Sequence, residues 1–316
     1  MTALLIVFGV IGAFTLIFII SDIAARKGRF AALMADFGKP PPDTYCEFLS
    51  ISKYAQYIEG LKENTLRVDE ITWNDLDMDK VFKRVNVCLT SVGEEYLYNC
   101  LHELPLAPDG LLKREQLIKY FQENPDKRMA VQGCLARVGK ESYNGLPYLL
   151  FYGGNKMLKY PHVYRVLAVL PFLAGGLMFF SMPVGFFAVL AAFLVNLVVY
   201  MRTKSLVDAE LPTIGYLTAV LKGVKRLCKH KDLQNLPDAD ELRRVFAVFK
   251  PVMRKAPSTA TTSGDLMDSM FQYINILFLY DIRKYNTLMT RIVRYREDLR
   301  ALYRAVGEVD LALCVL

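Results

Sequence analysis

VLAVLPFLAGGLMFFSMPVGFFAVLAAFLVNLVVYM, residues 166–201, runs for thirty-six positions without an Asp, Glu, Lys or Arg. As one helix it would be about 54 Å long at 1.5 Å per residue, nearly twice the roughly 30 Å hydrocarbon core of a bilayer. Folded once, it fits. Val166–Phe180 and Val184–Tyr200 are each long enough to span, and Ser181-Met182-Pro183 has the proline and small polar residue that a tight turn needs. The competing reading is a buried hairpin in a large soluble core, but so long an uncharged run is the usual signature of a span. The fold expected is all-α: transmembrane helices plus a helical bundle.

Outward from this run, Lys156, Lys159 and Arg165 precede it and Arg202 and Lys204 follow it. The positive-inside rule puts both flanks in the cytoplasm. A second apolar stretch, Thr2 to Ser21, is followed by Arg26, Lys27 and Arg29. A secretory signal would carry its charge on the other side, so residues 1–21 read as an uncleaved anchor with the N-terminus outside. The expectation is a multi-pass protein of the cell membrane with three spans and most of its polar chain in the cytoplasm. Its first partner is then the lipid bilayer. Ala188 and Ala192 make a small-xxx-small pair that could seat one span on another.

The remaining composition is that of an ordinary cytosolic portion diluted by spans: 53% hydrophobic, net charge +7. The six cysteines form no CxxC pair and sit among apolar neighbours, so they read as reduced core residues. With three histidines and no HExxH, no metal-ligating residues stand out. Asp75, Asp77 and Asp79 open like a calcium loop, but Lys80 and Asn86 occupy the positions that need Gly and Glu; the aspartates read as helix-start residues.

Six segments follow: the anchor 1–21, a cytosolic helical part 22–162, the hairpin 163–201, a juxtamembrane basic part 202–255, a polar linker 256–264 and a long helix 265–316. Lys39-Pro40-Pro41-Pro42-Asp43 breaks the first cytosolic stretch. Apolar spacing predicts helices beginning near Lys80, near Val92, over 110–123 and over 127–138. It predicts another over 213–231, where Lys222, Lys225, Arg226 and Lys229 share one face. Those four cations could contact nucleic-acid phosphate, but their position about twenty residues from a span favours anionic lipid or simple topology. Asp265 to Val306 holds no proline and no glycine, which predicts one continuous helix of some forty residues. No GxxxxGK[ST], GxGxxG or GxSxG occurs. No catalytic, cofactor-binding or metal-binding residue can therefore be assigned, and the chain carries no enzymatic signature of its own.

Thr90-Ser91-Val92-Gly93-Glu94-Glu95-Tyr96-Leu97-Tyr98-Asn99-Cys100-Leu101-His102-Glu103-Leu104-Pro105, followed by Arg114-Glu115-Gln116-Leu117-Ile118, resembles the core domain of the MutS family. That family has T-x-x-G-x-x-x-L-x-x-x-L, then Pro, then an Arg-Glu turn into the next helix. Thr90, Gly93, Leu97, Leu101, Pro105, Arg114 and Glu115 are the matching positions. Near the end of the chain, Glu308 and Asp310 within Leu302–Leu313 are similar to the Glu-x-Asp pattern that closes the family's lever helix. The match covers residues 70–140 and 265–316. The resemblance implies a helical core and lever belonging to an ATP-dependent, mismatch-repair-related protein that binds double-stranded DNA. It also implies ATP, Mg and a homodimer contact, but only through an ATPase domain beyond Leu316. The hairpin stands about where the family inserts its DNA clamp, and an anchor stands in place of the mismatch-reading domain. Phe121-Gln122-Glu123 spells a mismatch-probing Phe-x-Glu but lies within a core helix. The alternative is a non-enzymatic membrane scaffold that retains the helical core without DNA activity.

Overall fold

A computed structural model describes residues 46–61, 66–105, 108–229, 239–253 and 273–316, with a few isolated positions before them. The N-terminal anchor, the proline break after Lys39 and the linker 256–264 lie outside the described residues.

The chain is all-α. In order come α1 (Phe48–Gly60), β1 (Leu66–Arg67), α2 (Glu70–Asp75), α3 (Met78–Val85), α4 (Ser91–His102), β2 (Glu103–Leu104), α5 (Asp109–Glu123), α6 (Pro125–Leu135), α7 (Leu146–Tyr152), α8 (Pro161–Gly176), α9 (Met182–Lys229), α10 (Ala239–Met253), α11 (residues 273–278), α12 (Tyr280–Arg294) and α13 (Arg296–Val315). The two strands form a two-residue antiparallel ladder, Leu66 opposite Leu104 and Arg67 opposite Glu103, that ties the start of α2 to the end of α4. Asp77 does stand at the start of α3, as its N-cap residue, in a left-handed conformation. Trp73 of α2 stacks on His102 at 3.7 Å, and its indole N–H donates to Asp79 at 2.9 Å.

The uncharged run forms a hairpin. α8 ends in a 3₁₀ turn at Leu177–Phe179, and α9 begins at Met182. A Cβ on Gly185 would lie 2.5 Å from the Met178 backbone nitrogen, so only glycine lets the arms close there. Further down, the Asn196 amide donates to the Leu167 carbonyl at 3.0 Å. The pairs 178/185 and 167/196 fix one antiparallel register, which brings Arg165 and Arg202 to the same end. Both helices are long and apolar enough to cross a membrane. Only 17% and 22% of their most apolar windows are buried, whereas the core helix of a soluble protein would be mostly covered. Phe179 and Phe180 at the tip are 94% and 92% exposed.

Two sequence expectations about helix length are corrected. The sequence places a segment break after residue 201 and a separate helix over 213–231. Instead α9 runs unbroken for 48 residues, through Pro212, whose missing N–H costs the ladder one bond. Packing against α6, α7 and α10 outweighs that loss. Conversely, the forty-residue terminal helix is interrupted twice. Leu279 adopts φ 49°, and the Asn275 side chain turns back onto Asp281, accepting from its backbone N–H at 2.9 Å and pairing with its carboxylate. Tyr295, at φ −114°, separates α12 from α13. Neither break has a glycine or proline to announce it. Side-chain capping and tertiary packing make them.

The main hydrophobic core gathers α1, α4–α7, the outer half of α9, α10, α12 and α13. A smaller cluster holds Ile51, Phe82, Cys88, Leu97 and Leu311. The tightest packing is of α13 on α4: Gly307 faces the Tyr96 ring and Gly93 faces Asp310, each so close that a Cβ would collide.

Candidate functional site

The two motif segments, some 200 residues apart in sequence, meet. Thr90 caps α4, its hydroxyl accepting from the Gly93 N–H at 3.0 Å. Asp310, on α13 and wholly buried, accepts from the Leu89 N–H at 3.0 Å, the Thr90 N–H at 2.9 Å and the Thr90 hydroxyl at 2.6 Å. One carboxylate thus satisfies donors at the head of α4 that the helix itself cannot. Burial lifts the Asp310 carboxyl to about 6, while the donors from Thr90 and Leu89 pull the other way. Two residues earlier on α13, Glu308 takes the Arg114 guanidinium in two bonds, 2.6 and 3.1 Å. That forked geometry is the strong form of an ion pair. It pins α5 to α13.

A second polar junction lies beside the first. Ser91, Glu95 and Asn99 follow one another at four-residue spacing on α4, and all are buried. Glu95 accepts from the Tyr303 hydroxyl and from the Asn144 amide, the latter at 2.9 Å. Asn144 also receives Leu146 N–H at 3.0 Å, and its own N–H reaches Ser50 on α1 at 3.1 Å. Ser91 N–H donates to the Tyr216 hydroxyl on α9 at 2.9 Å, and that hydroxyl donates to the Gly139 carbonyl at 3.2 Å. Burial pushes the Glu95 carboxyl well above its usual range against the pull of the Tyr303 and Asn144 donors. Burial likewise raises Tyr216 and Tyr303, with Glu95 adding to the shift at Tyr303.

These groups are chemically mature but closed. Glu95 is 1% exposed and Asp310 0%, so no substrate reaches them. Their partners are satisfied by the fold, and the chemistry they perform is attachment: five elements, including the long α9, are locked to α13. Sequence reasoning found the Thr90–Gly93–Asp310 and Arg114–Glu308 positions through the family pattern. It missed Glu95, Asn144, Tyr216 and Tyr303. The available signal was the polar stripe Ser91/Glu95/Asn99, which reads by default as a solvent face.

Of the other motif positions, Leu97 is buried in the smaller cluster and Leu101 packs at its edge. Pro105 is exposed. Glu115 stays outside the junction, exposed and paired with Lys119 at 2.7 Å. Phe121 is fully buried, as a core-helix residue should be.

The basic stripe closes the far end of α9. Lys222 and Lys229 are exposed, while Lys225 and Arg226 are half-buried. Gly223 allows this turn to press on Val138 after α6. Other cations gather there: Arg137 and Arg226 both lie near Cys134, lowering its thiol against the burial that raises it, and Arg243 does the same at Cys228. Among the described residues no group of three or more His, Cys, Asp or Glu could hold a metal ion.

No family model matches the chain, and neither a curated protein nor a solved structure matches it.

Proposed function

We propose that this chain is the membrane-held core and lever portion of a MutS-like protein that binds duplex DNA near the membrane surface. Its hairpin crosses the bilayer with Arg165, Arg202 and Lys204 on the cytoplasmic side, and the anchor at residues 1–21 crosses beside it with its N-terminus outside. What supports the family reading is that its two motif segments, far apart in sequence, depend on one another for hydrogen bonds and an ion pair.

The observation that carries the DNA reading is the height of the basic stripe. α9 leaves the uncharged run at Arg202 and continues without a break to Lys229. At 1.5 Å per residue, Lys222 lies about 30 Å and Lys229 about 40 Å beyond that boundary along the helix. A 45° tilt still leaves Lys222 roughly 20 Å away, more than two Debye lengths of about 8 Å at physiological salt. Anionic lipid is then out of reach of these cations, and phosphates of a polyanion in the cytoplasm are not. In mechanical terms, α12 and α13 form the lever: α11 docks on the hairpin through Asn196, and α13 docks on the core through Asp310. ATP and Mg enter this reading only as what the resemblance implies for a domain that would follow α13.

The test is a salt titration of duplex DNA binding to the full chain in lipid nanodiscs. Each phosphate neutralised contributes about 0.9 to the slope of log K against log salt. The variant K222Q/K225Q/R226Q/K229Q should flatten that slope by roughly 2–4. If duplex DNA fails to bind even at low salt, the DNA reading fails and the scaffold without DNA activity takes its place.

A further inference from the structure

Where α8 enters the uncharged run, a cavity of about 220 Å³ opens between its first turn and α12. Arg165, the last charge before the run, lines it together with Arg283 and Lys284. No carboxylate pairs with any of these three among the described residues. Lys284 lies 4.2 Å from the Tyr280 ring centroid, a cation–π contact that holds its ammonium near the cavity rim. The first turn of α8 adds the positive end of a helix dipole. Tyr164 and Tyr280 both line the cavity, at the depth where tyrosines favour a membrane–water interface.

One further wall residue specifies the ligand. Asn286 is 7% exposed, and its side-chain oxygen is buried without a hydrogen-bond partner. An orphaned acceptor costs about 1–3 kcal/mol, so it calls for a donor in the cavity. Bare phosphate, as the dianion HPO₄²⁻, offers one O–H but nothing that would anchor it at the membrane–water boundary where the two tyrosines lie. A choline headgroup has no donor, and its quaternary ammonium would meet three cations. A phosphate esterified to a hydroxylated headgroup supplies both the anion and the donor.

We infer that this cavity is a binding site for the headgroup of an anionic, polyol-bearing phospholipid of the phosphatidylglycerol class. The phosphate sits among Arg165, Arg283 and Lys284, and a headgroup hydroxyl donates to Asn286. Because α12 forms one wall, the lipid would fasten the lever's membrane end to the hairpin. The inference rests on the reading of α8 and α9 as membrane-spanning.

The experiment uses the full chain extracted in mild detergent and examined by native mass spectrometry with added phosphatidylglycerol or phosphatidylcholine. Expected is retention of one phosphatidylglycerol at least tenfold better than phosphatidylcholine. R283Q/K284Q and, separately, N286L should each reduce that retention at least fivefold. R202Q/K204Q, which removes as many interfacial cations elsewhere, should leave it unchanged. R283Q/K284Q alters side chains at the cavity rim and should melt like the parent. Equal retention of the two lipids, or full retention in R283Q/K284Q, overturns the site. Displacement by millimolar glycerol 3-phosphate overturns the lipid as its source and assigns a soluble phosphate ester. Alkaline carbonate extraction of the chain from membranes separates the two failures: release defeats the spanning reading itself, whereas retention with no lipid preference defeats the cavity alone.

Discussion

Replacing Gly93 with alanine should destabilise the protein, although in most helices the same change stabilises. Alanine exceeds glycine by about 1 kcal/mol in a helix interior, and Gly93 has no left-handed backbone to protect. The methyl group, however, would lie 2.2 Å from the Asp310 Oδ2 and 2.6 Å from its Cβ. Ordinary contact begins near 3.4 Å, so the carboxylate must retreat by about 1.2 Å, the difference of those two distances. Its three bonds at 2.6–3.0 Å would then stretch past the roughly 3.2 Å limit of a useful hydrogen bond. Bonds to a charged group contribute about 1.5–3 kcal/mol each, and the three share one acceptor, so a joint loss of about 3–5 kcal/mol is reasonable. Net of helix propensity, G93A should cost about 2–4 kcal/mol, or roughly 3–6 °C in melting temperature for a chain of this size. Trp73, the only tryptophan, packs on His102 and Tyr98 of α4, so its fluorescence during a thermal melt in detergent reports the element concerned. The double variant G93A/D310A isolates the cause: with the carboxylate gone, alanine should cost at least 1 kcal/mol less than it does alone. An unchanged or raised melting temperature in G93A, or strict additivity in the double variant, would refute the reasoning.

Three other outcomes can be checked in the same preparation. Asp310 titrates near 3.8 when unfolded and at about 6 in the fold; the folded state therefore holds the proton more tightly, and its stabilisation is full below 3.8 and lost as pH rises through 6, a span of about 3 kcal/mol at 1.36 per unit. Between pH 7 and pH 5 the parent should therefore gain melting temperature relative to D310N, since Glu95, shifted in the same direction, is common to both and cancels; a constant difference between them sinks the assignment. Breaking the fork at α5 with R114A should cost about 1–3 kcal/mol, R114K should recover less than half of it because lysine cannot fork, and full rescue by lysine would show that charge alone matters. N196L removes amide bonds to the Leu167 and Leu277 carbonyls, each about 0.6 kcal/mol in a membrane setting, so a cysteine placed at Tyr273 should label several-fold faster; an unchanged rate would mean that α11 is held by other contacts.

What the sequence disclosed follows from how local each signal is. The hairpin was legible because thirty-six uncharged residues leave few alternatives, but its turn closes over Leu177–Ser181, with Met182 and Pro183 already in the first turn of α9, where proline costs little. The α4 head was legible through its motif, since Thr90 and Gly93 are spaced as a cap and its receiver. The continuity of α9 was not. Arg202, Lys204, Asp208, Glu210 and Pro212 look like the end of one element and the start of another, and only packing on both sides of Pro212 makes them a single rod. The interruptions at Leu279 and Tyr295 were hidden for the opposite reason: every residue there is a tolerable helix former, and the breaks come from Asn275 reaching Asp281 and from the Tyr295 ring meeting Phe249 at 6.1 Å. The consequence bears on mechanism. Rigid length in this chain lies in α9, which joins the hairpin to the Tyr216–Ser91 junction, while the terminal limb bends at two places between its hairpin end and its core end. A push delivered to α13 would be absorbed at Tyr295 and Leu279 unless α12 is held. In this fold α12 is tied to the hairpin through α11, and a headgroup held as proposed in the cavity beside Arg165 would add to that hold, so its occupancy should set how much of any movement at Asp310 reaches the hairpin.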